Sequence, residues 1–197
     1  MTVIKRRSFL QSLALLFPST LFAQSTAAPG TSKSVPAGSG VASEPVLSGE
    51  DRYSFKRNIP NGDSAFKVSS KDCRGDFFAM EHHHTKPGGP PRHLHHGEDE
   101  WFYVIEGDYL VEVGGKLHHL KTGDSVLGPR EVPHAFAFVG ETTGRFLITY
   151  APAGKMEEFF NSRDRLPGGR STFVNNAEEM RAYGMELTGP PLELHSS

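Results

Sequence analysis

Ten histidines occur in this 197-residue chain, and six of them fall between His82 and His96. The densest part of that stretch reads Arg92-His93-Leu94-His95-His96-Gly97-Glu98-Asp99-Glu100. In an extended strand the side chains at i and i+2 share a face. His93 and His95 therefore point together, and both imidazoles can donate to one ion at about 2.0–2.2 Å. Glu100 opens the next apolar run and shares its face with Phe102 and Val104. A carboxylate on an inward face is costly unless a cation compensates it. A further donor, His134, follows Val132-Pro133 and begins an apolar run through Phe136 and Phe138. Imidazoles with one carboxylate suit a single divalent Fe, Mn, Ni, Cu or Zn ion per chain, and they do not choose among these. On an octahedral ion the set His93, His95, Glu100 and His134 leaves positions open for water, oxygen or substrate. Glu100 is then both ligand and candidate catalytic base, taking a substrate hydroxyl proton.

The elements that must position these residues read as short strands. Runs over Asp76–His84, Glu100–Glu106, Tyr109–Val113, Lys116–Lys121, Ser125–Leu127, His134–Val139 and Arg145–Tyr150 alternate with turn signals. Gly114-Gly115 between two of them is a two-residue hairpin signal. The 21 Gly and 14 Pro residues fit many tight turns, and strands at this spacing point to an all-β sandwich, jelly roll or barrel. Helix signals come late, over Gly154–Asn161 and over Asn176–Tyr183, with Asn176 as the N-cap.

The first part of the chain reads differently. Residues 1–27 have the form of an export signal: Lys5-Arg6-Arg7, then an apolar stretch from Phe9 to Phe22 interrupted by Pro18, then small residues. That stretch is too short to span a membrane, which takes about 20 apolar residues. The run Lys5-Arg6-Arg7-Ser8-Phe9-Leu10-Gln11 resembles a twin-arginine signal, which implies export to the bacterial periplasm or cell envelope, with an ordinary secretory signal that holds two adjacent arginines as the alternative. Residues 28–50 are rich in Ser, Gly, Pro and Ala and read as a disordered tether. Residues 51–197 then form one domain. A formal net charge of −2 gives no electrostatic reason to expect nucleic acid or an anionic membrane as partner. With Cys73 alone, an internal disulfide is excluded and thiolate metal ligation has little support.

Two spacings carry a family resemblance. His93-x-His95, Glu100 and Gly107 are similar to the first cupin motif, and Gly123, Pro129 and His134 to the second, so that the motifs occupy 93–107 and 123–138. The chain most resembles small single-domain cupins grouped with quercetin dioxygenases. The resemblance implies a double-stranded β-helix (a cupin jelly-roll barrel) with one or two short C-terminal helices. It also implies a homodimer and a metal on the four matching positions. The chain departs from the pattern at Pro87, where a glycine is usual, at Glu131, which replaces a common Gly, and at Phe138, which replaces a common Asn.

Other residues admit two readings each. His82, His83 and His84 either line the pocket mouth or form a solvated edge. Arg92 is an anion contact or a surface side chain, and His96 an outer partner or surface. His118 and His119 are exposed hairpin residues. Trp101, Tyr103 and Ile105 face away from Glu100, toward core or a dimer interface, while Phe102, Val104, Phe136 and Phe138 wall the site or simply pack. The leading functional expectation is a metal-dependent dioxygenase acting on an aromatic or enolic small molecule. A non-catalytic ligand- or metal-binding module of the envelope and a metal-dependent isomerase or lyase are the alternatives, because one scaffold hosts many chemistries.

Overall fold

The computed structural model describes residues 44–55, 57–164 and 176–194. The expected signal peptide and the tether up to residue 43 lie outside the described residues. Eleven strands are described: β1 (Arg57–Ile59), β2 (Gly62–Val68), β3 (Phe78–His84), β4 (His93–His95), β5 (Asp99–Glu106), β6 (Asp108–Val113), β7 (Lys116–Lys121), β8 (Ser125–Gly128), β9 (His134–Phe138), β10 (Gly144–Ala151) and β11 (Met185–Leu187). They form two antiparallel sheets. One has the order β1-β2-β3-β10-β5-β8, the other β11-β4-β9-β6-β7. The described residues hold two short α-helices, α1 (Met156–Asp164) and α2 (Ala177–Ala182), and the fold is an all-β, jelly-roll-like arrangement of two sheets.

Period-two alternation sets which side chains enter the space between the sheets. On β10, Gly144, Phe146, Ile148 and Tyr150 are buried while their neighbours are partly exposed. On β5 the buried set is Glu100, Phe102 and Val104, and the register places Tyr150 opposite Glu100 and Ile148 opposite Phe102. The core between the sheets is largely aromatic. Phe146 stacks on Tyr109 at 4.3 Å between ring centroids and on Phe102 at 5.5 Å. Trp101, on the opposite face of β5, is 37% exposed.

Turns follow local chemistry. Gly114 and Gly115 both have positive φ, +58° and +79°, the requirement of a type I′ hairpin, and they join β6 to β7 in the expected register. Gly89 lies so close to β9 that a Cβ there would overlap the Phe136 carbonyl oxygen. The expected strands recur within a residue or two; α2 recurs within one residue, whereas α1 starts two residues and ends three residues later than expected. The Asn176 side chain caps α2, accepting from the backbone N–H groups of Glu178 at 3.0 Å and Glu179 at 3.3 Å. β1, β2 and β11 lie outside the strands expected from sequence. Among the described residues no helix is long and apolar enough to cross a membrane.

Two polar clusters tie the segment before β2 and the helix α1 to the barrel. Asp51 Oδ2 accepts from Arg57 Nη1 at 2.7 Å and from the Phe66 N–H at 2.7 Å, and the Arg57 guanidinium lies 3.7 Å from the Phe66 ring centroid. Glu157 on α1 accepts from the Tyr53 hydroxyl at 2.7 Å, the Ser69 hydroxyl at 2.9 Å, the Ser70 N–H at 2.8 Å and the Ser70 hydroxyl.

Candidate metal centre

Three strands deliver the four side chains of the site. β4 carries His93 and His95 on alternate positions, and its pairing with β9 sets His93 opposite His134. β5 delivers Glu100 from the other sheet, between Tyr150 on β10 and Gly128 on β8. Gly128 makes room for His134: a Cβ there would come within 3.0 Å of His134 Nδ1 and 3.3 Å of the Phe102 ring.

All four side chains are buried, and one ligand atom from each lies within 4.8 Å of the others. Glu100 Oε2 is 2.8 Å from His134 Nε2, 3.0 Å from His95 Nε2 and 3.9 Å from His93 Nε2. The far ring nitrogens of two histidines are held by backbone: His93 Nδ1 donates to the Pro91 carbonyl at 2.8 Å and His134 Nδ1 to that of Val132 at 3.0 Å. Those bonds set the tautomer, so in a neutral ring Nε2 carries the lone pair. Lone pairs then face a carboxylate, an arrangement that only a proton or a cation between them relieves.

The protonation tendencies express the same conflict. Burial pushes the His93 imidazole down to about 3, helped by the neighbouring His134 and His95. Burial alone would raise the Glu100 carboxyl, but hydrogen bonds from His134 and His95 outweigh it and hold the group well below the usual carboxylate range. Burial likewise opposes charge on His134, yet the bond to Glu100 raises it above its ordinary value. The donor set therefore fits a divalent metal: imidazole nitrogens and a carboxylate oxygen, convergent, buried and pre-oriented. His93, His95, Glu100 and His134 would hold it.

Two residues at the site escaped the sequence reading. Glu98 is buried, and its Oε2 lies 3.8 Å from His95 Nδ1, the position of an outer carboxylate behind a ligating histidine. Its place two residues before Glu100 was a usable signal. Tyr150 is buried with its ring centroid 5.4 Å from that of His95, and burial together with the Glu100 charge pushes its phenol well above 10. Only the β5–β10 register brings it there.

The remaining candidates fall into place around the centre. Phe102, Val104, Phe136 and Phe138 are buried in the core, and of these Phe102 packs against a candidate ligand, its ring centroid 5.8 Å from that of His134. His82 and His84 point inward, while His83 lies outward beside Asp63. Arg92 is engaged by Glu112 through two bonds of 2.7 and 2.8 Å, so it is not presented to the site. His96 is exposed and pairs with Glu131 at 3.1 Å. His119 faces Asp108 at the surface. Cys73 contacts the Phe77 carbonyl at 2.8 Å, away from the centre.

Residues 81–150, which include all four candidate ligands, match the family model described as a cupin domain. With the two-sheet fold, this match supports the cupin superfamily, whose members commonly bind a divalent metal. Over 60 residues the chain is 32% identical to "Protein SchB" of Streptomyces halstedii, an alignment covering 30% of this chain and 44% of that relative. The chain thus spans less than half the length of this curated relative. Among solved structures it is similar to KdgF from Halomonas sp., with 20% identity, a TM-score of 0.45, and coverage of 50% of this chain and 86% of that one. It is also similar to an RmlC-like cupin from Shewanella frigidimarina, with 23% identity, a TM-score of 0.43, and coverage of 52% and 87%.

Proposed function

We propose that this protein is an exported metalloenzyme that binds one divalent transition metal on His93, His95, Glu100 and His134, and that it is a dioxygenase acting on an aromatic or enolic small molecule. The observation that carries the reading is the convergence of imidazole Nε2 atoms on the single oxygen Glu100 Oε2, with two of the rings oriented by backbone carbonyls. A bound metal of this class would supply Lewis-acid and redox chemistry to substrate and oxygen. The chain supplies the rest. Phe102 and Phe136 present aromatic faces beside the ligands, which suits a planar substrate and excludes water. Glu100 Oε2 accepts the proton of the substrate hydroxyl, and Glu98 Oε2 stands 3.8 Å behind His95 Nδ1. Periplasmic or envelope location and a homodimeric state belong to the same proposal. Location rests on Lys5-Arg6-Arg7 and the apolar stretch after it, and the dimer on the family resemblance.

Elemental analysis of protein recovered from its native export route tests the site, beside a His93→Ala, His134→Ala double variant. Stoichiometric Fe, Mn, Ni or Cu that is lost in the variant is the expected result. Oxygen uptake with a flavonol, a diketone or a catechol then tests the reaction. Zn alone with no oxygen uptake moves the reaction to an isomerase or lyase, and no metal in either protein overturns the site and favours a binding module. Export through the twin-arginine route predicts that Arg6→Lys with Arg7→Lys retains the protein inside the cell.

A further inference from the structure

Farther along the same interior lies a second pair of histidines that the metal chemistry leaves unused. β3 places His82 beside Phe146 and His84 beside Gly144 on the inward side of the sheet. His82 is 3% exposed, and neither of its ring nitrogens has a hydrogen-bond partner among the described residues. His84 is fully buried; its Nδ1 meets the Tyr109 hydroxyl at 2.9 Å, and its Nε2 has no partner among the described residues. The two ring centroids are 5.5 Å apart, and Phe136 packs 6.0 Å from each. Phe160 lies 6.4 Å from His82, and Phe138 stacks on His84 at 5.8 Å.

Buried polar groups are ordinarily paired, and an unpaired one calls for an explanation. A neutral imidazole offers one N–H and one lone pair. With the Tyr109 phenol donating to His84 Nδ1, His84 Nε2–H is left as a donor. The two side chains together therefore present donors and an acceptor inside an aromatic wall. Leu or Phe would fill these positions without burying unpaired nitrogens. Burial keeps both rings neutral, His82 being pulled down to about 4 and His84 to about 2. Neutral rings favour a neutral hydroxyl over a carboxylate or phosphate. Phe136 also borders Phe102, whose ring centroid is 5.8 Å from that of His134, so a planar ligand at His82 would reach toward the metal ligands along aromatic faces.

We propose that His82 and His84 form the hydrogen-bonding anchor of a ligand position inside the barrel, and that the group they hold is a hydroxyl of a hydroxylated aromatic ring. This rests on the reading of the interior as the substrate's place, and adds where the polar end of that substrate lies. His82 and His84 are positioning residues, remote from the reacting atoms.

The test uses the full chain, as purified and with Zn(II) added, carrying 15N-labelled histidine. Phenol, catechol and a flavonol are titrated while ring nitrogen signals are followed, with His82 assigned from its loss in His82→Phe. The expected result is a saturable shift of the His82 and His84 ring signals with at least one probe. His82→Phe should bind that probe at least about tenfold more weakly, with Tm unchanged or raised by about 2–4 °C because the unpaired nitrogens are gone. His82→Gln, which keeps a donor and an acceptor, should recover part of the affinity. Absence of a shift with every probe, or wild-type affinity in His82→Phe, overturns the proposal. So does a loss of several degrees in both variants, which would mean that the protein itself satisfies the ring. Saturable His82-dependent binding without oxygen uptake by protein loaded with Fe, Mn, Ni or Cu would sink the dioxygenase reading and leave this one standing. Oxygen uptake with kcat and KM unchanged in His82→Phe would do the reverse.

Discussion

Two glutamates are buried in this protein by opposite means. Glu157, on α1, is surrounded by donors that need no charge: the hydroxyls of Tyr53, Ser69 and Ser70 and the Ser70 N–H. A carboxylate with that many neutral donors is satisfied as it stands, and although burial opposes ionisation, the bonds from Ser70, Tyr53 and Ser69 hold it below the usual carboxylate range. Glu100, between the sheets, has imidazole nitrogens as its neighbours, two of them on rings whose N–H already points away to backbone. The first environment closes on itself. The second sets a carboxylate against imidazole lone pairs, which a proton or a cation between them would relieve, and this is the physical difference between a carboxylate that fastens a fold and one placed where it could hold an ion.

The same substitution at both positions should separate them. Glu100→Gln removes the negative charge from among the imidazoles, and metal affinity should fall by more than the roughly 10–100-fold that loss of an outer partner costs. Calorimetric titration with Zn(II) or Mn(II) measures it. Unchanged affinity would mean that Glu100 is no ligand. Glu157→Gln should leave metal affinity as it is but place an amide N–H₂ among donors, at a cost of about 2–3 kcal/mol. That corresponds to a Tm lower by roughly 5–10 °C. A variant that lost metal while keeping its Tm would put Glu157 in the wrong class.

Why one carboxylate was legible in the sequence and the other was not follows from the distance over which each is assembled. Glu100 sits five residues from His95, within a run whose two-residue periodicity already orients the side chains, and His134 follows a Pro-containing turn that ends at a strand start. The strands were legible for the same reason, since β5 to β10 are short alternating runs punctuated by Gly107, Gly114-Gly115 and Gly123, although only β6 and β7 pair as a hairpin while the other consecutive strands alternate between the sheets. Glu157 gathers partners from Tyr53 and Ser69, 104 and 88 residues away, and no local pattern announces that. β2, reading Gly-Asp-Ser-Ala-Phe-Lys-Val, alternates weakly because only Ser64 and Phe66 face the core. β11 has three residues and exists through its pairing with β4. The inward turn of His82 and His84 was one of two open readings, which the pairing of β3 with β10 decides.

Acid should distinguish the two kinds of buried group by where stability is lost. His82 has its folded value depressed to about 4 from an ordinary 6.5, with burial as the main cause. Between those values the unfolded chain binds the extra proton, so stability falls as pH drops from 6.5 to 4 and is flat above, by up to about 1.4 kcal/mol per pH unit from this group. Glu157 is depressed below 4.5, so its contribution is present above that value and is lost as pH falls through the lower folded value. Tm measured from pH 8 to pH 3 should therefore show two limbs. His82→Phe makes the upper limb shallower, the remaining slope belonging to His84 and His93, which burial also depresses, and Glu157→Gln does the same to the lower. A wild-type Tm that held constant from pH 6.5 to pH 4 would show that His82 takes up its proton without cost.

A third glutamate gives the smallest expected effect and tests a departure from the family pattern. Glu131 stands where the second motif commonly has Gly, and its φ is +63°, a conformation that is strained for a residue with a Cβ. Its backbone N–H donates to the His95 carbonyl at 2.8 Å, so the turn conformation supports the strand that carries His93 and His95 whatever the side chain. The carboxylate itself is exposed and meets His96 at 3.1 Å, an ion pair worth at most about 1 kcal/mol. Glu131→Ala keeps the strain and loses the pair, whereas Glu131→Gly loses both. Gly should accordingly be more stable than Ala here by about 1 kcal/mol, against its usual disadvantage in the unfolded chain. Urea denaturation of the two variants reads that difference directly. Equal stability would mean that the left-handed turn costs nothing, and that Glu131 replaces Gly without penalty. Metal affinity should be nearly the same in both, since neither change removes the backbone bond to His95.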